Sequence, residues 1–226
     1  GRPGLAQFAQ AVQELHAEGL SYGRIAEAAG LGRTRIHQIR HAGPGPEGAF
    51  FGATRVTIAT PLKREAANAR PVVAAEDFAV TQRLSELARH LGLDPDAENI
   101  PLDGRIDLNR DGLVVVCGPR LSQDVAGVLA TDPVIRFEKA PDGVWTLLDQ
   151  RSGQSYRSGP DRQPPAPSDI AYLARLPRPD SQGHVIVFTG IHPQGSLGVA
   201  HYLATERADL HRETGTGPFS LLLGVD

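Results

Sequence analysis

Apolar residues recur at helical spacing over the first forty positions, and glycines interrupt the pattern. Leu5, Phe8, Ala9, Val12 and Leu15 fall on one side of a helix drawn over residues 5 to 18. Gly19 ends that helix. Ser21 is suited to cap the next one, because its hydroxyl can accept from an amide that has no partner inside the helix. Gly30 stops the second helix, and a third is expected from about Gly32 to His41. The stretch "AGPGPEG", residues 42 to 48, cannot extend a helix and reads as a linker.

Beyond the linker the period changes. "TRVTIAT" (54 to 60) alternates and is rich in β-branched residues, so it predicts a strand. Residues 74 to 93 predict a helix with Phe78, Leu84, Leu87 and Leu91 on its inner side. "GLVVVCGP" (112 to 119) and "HVIVFTG" (184 to 190) are unbroken apolar runs, as in strands buried on both faces of a parallel sheet. A short helix capped by Ser122 spans 122 to 130. Residues 134 to 159 predict an antiparallel meander turning at "PDG" and "RSG". A Pro-rich loop follows (159 to 167), and "DIAYLARLP" (169 to 177) fits either a strand or a short helix. One long helix (195 to 215) and a last strand (219 to 225) complete the pattern.

The expected architecture is α/β. An N-terminal three-helix module covers residues 1–42 and a linker covers 43–51. A three-layer α/β domain with a mostly parallel sheet and an antiparallel β insertion covers 52–226.

Charge sharpens this division. Residues 1 to 42 hold five arginines and three glutamates, 5 − 3 = +2, so the remainder of a chain with net charge −3 carries −5. A small basic module precedes a larger acidic one. The basic residues are arginine except for Lys63 and Lys139, and Ala, Gly and Pro abound, a composition typical of GC-rich bacterial genomes. The single cysteine, Cys117, excludes an internal disulfide and a cysteine-based zinc site. No apolar run is long enough for a membrane span and no secretory leader is evident, so the expectation is a cytoplasmic protein. With no methionine, the natural start is expected to lie upstream.

The stretch "YGRIAEAAGLGRTRIHQIRH" fills the sterically restricted positions of two steeply crossed helices. Ala26 is the small residue at the crossing, beside Ile25. Gly30 opens the turn, followed by Leu31, and Ile36 and Ile39 face inward on the second helix. On these residues the segment resembles the helix-turn-helix of bacterial transcriptional regulators, also found in sigma-factor-like domains. The resemblance implies double-stranded DNA as partner. Arg33 and Gln38 would contact base edges. Thr34, Arg35 and Arg40 would meet phosphates, His37 and His41 share the exposed face, and Tyr22 and Arg24 would clamp the backbone. The same crossing also serves helical protein–protein modules. A +2 module makes few phosphate contacts, so useful affinity calls for a homodimer or higher homo-oligomer on paired half-sites.

Two loops follow the buried strands. "CGPRLS" offers Gly118, Arg120 and Ser122. "GIHPQGSLG" offers Gly190, His192, Gly195, Ser196 and Gly198. At the carboxyl ends of parallel strands, with helices starting beyond, these would form a pocket for a small effector, anionic or a nucleotide. Neither loop is a Walker A or GxGxxG motif, and tight turns need glycine in any case. No cofactor and no metal is implied, and the histidines make no HExxH pair. "CGPR", "DIAYLARLPRPD" and "GIHPQGSLGVAHYL" together resemble an uncharacterised, Rossmann-like C-terminal module of helix-turn-helix proteins from high-GC bacteria, over most of residues 112 to 203.

The expectation is therefore a DNA-binding regulator with a ligand-sensing, oligomerising α/β domain. The alternative is a glycosidase-like nucleotide-processing enzyme with a helical docking module. It would use Glu138, in a meander that also carries Trp145, together with His192.

Overall fold

The structure is a computed structural model that describes residues 11, 12, 15, 16, 18–32, 36 and 48–226. Helix α1 is Tyr22–Ala28. Ser21 caps it, its Oγ accepting from the Arg24 N–H at 3.4 Å. The closure at the other end is paired. The Gly30 N–H donates to the Glu27 carbonyl at 3.1 Å and the Leu31 N–H to the Ala26 carbonyl at 2.9 Å. That pairing needs a left-handed residue just past the cap, and Gly30 supplies it at φ +65. Val12, Ile25, Ala26 and Ile36 are buried together, with Leu20, Tyr22 and Leu31 at the edge of the cluster. Ile36 is helical and its N–H reaches the Gly32 carbonyl at 3.1 Å. Leu15 is a correction: it is 39% exposed rather than inward-facing. It sits about 60° around the helix from Val12, outside a narrow buried stripe. Leu5, Phe8, Ala9 and Ile39 lie outside the described residues.

The body begins at a 3-10 turn, Ala49–Phe51, whose Phe50 and Phe51 are buried in the main core. In chain order come β1 (Arg55–Pro61), a hairpin of β2 (Lys63–Arg64) and β3 (Pro71–Val72), and α2 (Ala75–His90). After them come β4 (Asp94–Ile100), β5 (Leu113–Val116) and α3 (Gln123–Leu129). A meander then runs through β6 (Ile135–Lys139), β7 (Trp145–Asp149) and β8 (Ser155–Tyr156). Strands β9 (Asp169–Pro177) and β10 (His184–Gly190), helices α4 (Pro193–Thr205) and α5 (Arg207–Thr214), and β11 (Phe219–Val225) complete the chain.

One six-stranded sheet organises these elements, in the order β11-β9-β10-β5-β1-β4. Strands β4, β1, β5 and β10 are mutually parallel; β9 runs against both β10 and β11. The ambiguous segment 169–177 is thus a strand. Alternation along the strands divides the core in two. Ile58, Val114, Val116, Leu173 and Phe188 face α2, α4 and α5. Ala59, Val115, Tyr172 and Val187 face α3 and the meander, meeting Val125, Ile135 and Leu147. Each such aliphatic side chain, fully buried, stabilises the fold by about 1.5–3 kcal/mol.

Three expectations change. Phe78 is 55% exposed, and the inner face of α2 is Val80, Leu84, Leu87 and Ala88, with Asp77 and Ser85. The helix over 195–215 breaks at Glu206 into α4 and α5. "DPDAENI" forms β4, an edge strand that the polar sequence did not suggest.

Candidate functional site

Strands β1, β5 and β10 stop side by side, and a cavity opens at their carboxyl ends. This is the place where open α/β sheets bind ligands. Val116, Cys117, Pro61 and Ile191 contribute the strand-end part of the lining. Lys63 and Asp77 come from β2 and α2, and Phe137 and Trp145 from the meander. The cavity measures about 70 Å³. Sites for drug-sized molecules are several-fold larger, roughly 300 Å³ and up, so this one encloses a compact group rather than a whole nucleotide.

Five of the eight loop positions marked in the sequence line it: Gly118, Arg120, Gly190, His192 and Ser196. Three do not, and each has a structural task. Ser122 is buried, accepting from the Val125 N–H as the N-cap of α3 and donating to the Gly104 carbonyl. Gly195 lies against Gly190, where a Cβ would come within 2.6 Å of the Asp169 Oδ2. Gly198 lets α4 pass close to Val225 of β11.

The start of α4 differs from the expected anion cradle. Asp169, buried at the first position of β9, already occupies it. Its Oδ2 accepts from the His192 N–H at 2.9 Å and the Gly195 N–H at 2.8 Å, and its Oδ1 from the Ile170 N–H at 2.7 Å. The protein's own carboxylate thus satisfies the amides and the positive helix end that a ligand anion would have used. Nothing in the local sequence around Asp169 announces this, because the α4 amides it caps lie more than twenty residues away.

The side chains around the cavity are mostly paired. His192 Nε2 lies 2.8 Å from Asp161 Oδ2, a carboxylate delivered by the Pro-rich loop. Such a pair fixes the imidazole tautomer and orientation. Lys63 Nζ lies 2.7 Å from Asp77 Oδ2. Ser196 Oγ accepts from the Gly190 N–H at 3.1 Å. Arg120 donates through Nη2 to the Ile191 carbonyl at 3.1 Å, which aims the guanidinium along the cavity edge. Burial first, and the nearby Asp77 second, push the Cys117 thiol up to about 12; Lys63 acts weakly the other way. Cys117 is therefore a protonated core group and not a nucleophile.

Glu138 does not line the cavity. Its carboxylate sits 3.7 Å from Arg136 on the meander surface. Among the described residues no group of three His, Cys, Asp or Glu side chains is placed to hold a metal, and no helix is long and apolar enough to cross a membrane. At the N-terminus, Arg24 is exposed on α1 and Tyr22 stacks on His16 with ring centroids 3.8 Å apart. Arg33, Thr34, Arg35, His37, Gln38, Arg40 and His41 lie outside the described residues. No family model, curated protein or solved structure matches the chain.

Proposed function

We propose that the chain is a DNA-binding transcriptional regulator whose α/β body senses a small effector and joins copies into a dimer or higher oligomer. One observation carries the reading. Gly30, at φ +65, closes α1 so that Ile25 and Ala26 are buried in one cluster with Ile36 of the segment beyond the turn. That is the packing a helix-turn-helix needs, and Arg24 is exposed on α1, where a groove-binding face would begin. Selection of bound sequences from random duplex DNA tests it. Paired half-sites about one helical turn apart are expected to be enriched. Arg33→Ala combined with Gln38→Ala removes the enrichment; unchanged enrichment would refute the reading.

A second reading has one observation in its favour. His192, held by Asp161 at the cavity edge, has the arrangement of a general base. Glu138, half-buried on the meander and outside the cavity lining, has no part in it, so an enzyme would depend on His192 alone. A turnover screen with wild type and His192→Gln separates the two: a product formed only by wild type favours the enzyme.

A further inference from the structure

Two features of the cavity remain unused by the account above. The first is electrostatic. Lys63 is committed to Asp77, but among the described residues Arg120 has no carboxylate partner, and its one hydrogen bond there takes up Nη2 alone. Nε and Nη1 keep their N–H donors, enough for a carboxylate to be gripped in the forked manner that guanidinium favours. The α4 N-terminus cannot compete for that anion, since Asp169 fills it.

The second feature is apolar. Among the described residues five large apolar side chains stand exposed: Leu15, Val72, Val73, Phe78 and Leu121. Leu15 belongs to the N-terminal segment. The other four sit on the segments that build the cavity. Leu121 lines it directly beside Arg120. Phe78 follows Asp77, and Val72 is the cross-strand partner of Lys63, with Val73 next to it. Scattered exposed apolar residues need no explanation, but Leu121 stands exposed in the cavity wall itself, and Val72 and Phe78 are next to the lining residues Lys63 and Asp77 by strand register and by sequence.

A small chamber with an unmatched arginine at its edge and an apolar rim outside fits one class of molecule. The geometry points to an amphipathic monocarboxylic acid, its carboxylate on Arg120 and its hydrocarbon tail across Leu121 toward the β2–β3 hairpin and Phe78. This deepens the effector reading and rests on it. It makes the body a sensor of acid chain length, because a cavity of about 70 Å³ has room for the head alone and leaves the tail to the rim.

The test titrates the full chain, without DNA, with acetate, butyrate, hexanoate and octanoate. Heat is followed by calorimetry and emission from Trp145, the only tryptophan and a residue of the cavity wall. Affinity is expected to rise about two- to fourfold per methylene, the upper figure being a fully buried CH₂. Hexanol and hexylamine are expected to bind at least tenfold more weakly than hexanoate. Arg120→Gln erases that preference for the acid; Leu121→Ser flattens the chain-length series and leaves acetate unchanged. Equal binding of acid, alcohol and amine, no dependence on chain length, or no binding of octanoate at millimolar concentration would each overturn the proposal. The regulator reading fails separately: acids that bind a chain with no affinity for duplex DNA leave the ligand class standing and remove the regulator. Duplex selection with no acid binding does the reverse.

Discussion

Arg175 buries a full charge within the body, 4% exposed, and among the described residues no carboxylate meets it. Backbone carbonyls take its place. Nη1 donates to the Gly215 and Gly217 carbonyls, just past the end of α5, Nη2 donates to the Phe50 carbonyl, and the guanidinium lies over the neighbouring Phe50 and Phe219 rings. The negative end of α5 and two aromatic faces compensate the charge, while burial lowers its pKa. Arg175→Ala would leave three carbonyls unpaired and is expected to cost about 3 kcal/mol, read from the urea midpoint, with Arg175→Lys recovering only part. Cys117 makes a second residue-level prediction. Its folded pKa is raised, so the thiolate favours the unfolded chain. The stabilisation is full below the unfolded value of about 8.5 and is lost as pH rises above it toward about 12. Iodoacetamide at pH 8.5 should therefore label Cys117 only at the rate of unfolding; fast labelling of the native chain would contradict its burial. The residues of the cavity were partly legible beforehand. Gly118, Arg120, Gly190, His192 and Ser196 could be placed because a buried strand followed by a loop and a helix points to the sheet's carboxyl edge. Lys63, Asp77, Asp161 and Asp169 could not, since each reaches the site through a tertiary contact with no spacing to reveal it.

At the scale of elements, strands with unbroken apolar runs declared themselves, because burial on both faces leaves no polar position. β4 did not. As an edge strand with only Ile100 buried, it is held by its pairing with β1 and by the grip of Arg110 on Glu98, and its Asp, Pro and Asn content argues against a strand. The junction of β10 with α4 is the element on which the site depends. Gly190 and Gly195 meet closely enough that a Cβ on either would collide with the other's backbone, and Asp169 is wedged against both. Asp169→Asn keeps the size but removes the charge from the helix start. It is expected to lower stability by about 1–2 kcal/mol. It should also move the His192 amide signal in a proton–nitrogen correlation spectrum, because that amide is one of the three Asp169 holds. An unmoved signal would mean that the carboxylate does not cap the helix start.

For the whole molecule, a basic N-terminal segment and an acidic α/β body share one chain, and the proposed regulator works only if that segment meets DNA in more than one copy. The most direct measurement is affinity for a 30-base-pair duplex as a function of salt. Arg24, Arg35 and Arg40 in each of two protomers would neutralise about six phosphates, so log K against log salt should fall with a slope near −5.4, and Arg24→Ala should bring it to about −3.6. A slope near zero, or a slope indifferent to Arg24→Ala, would contradict the claim that this face of the N-terminal module binds DNA.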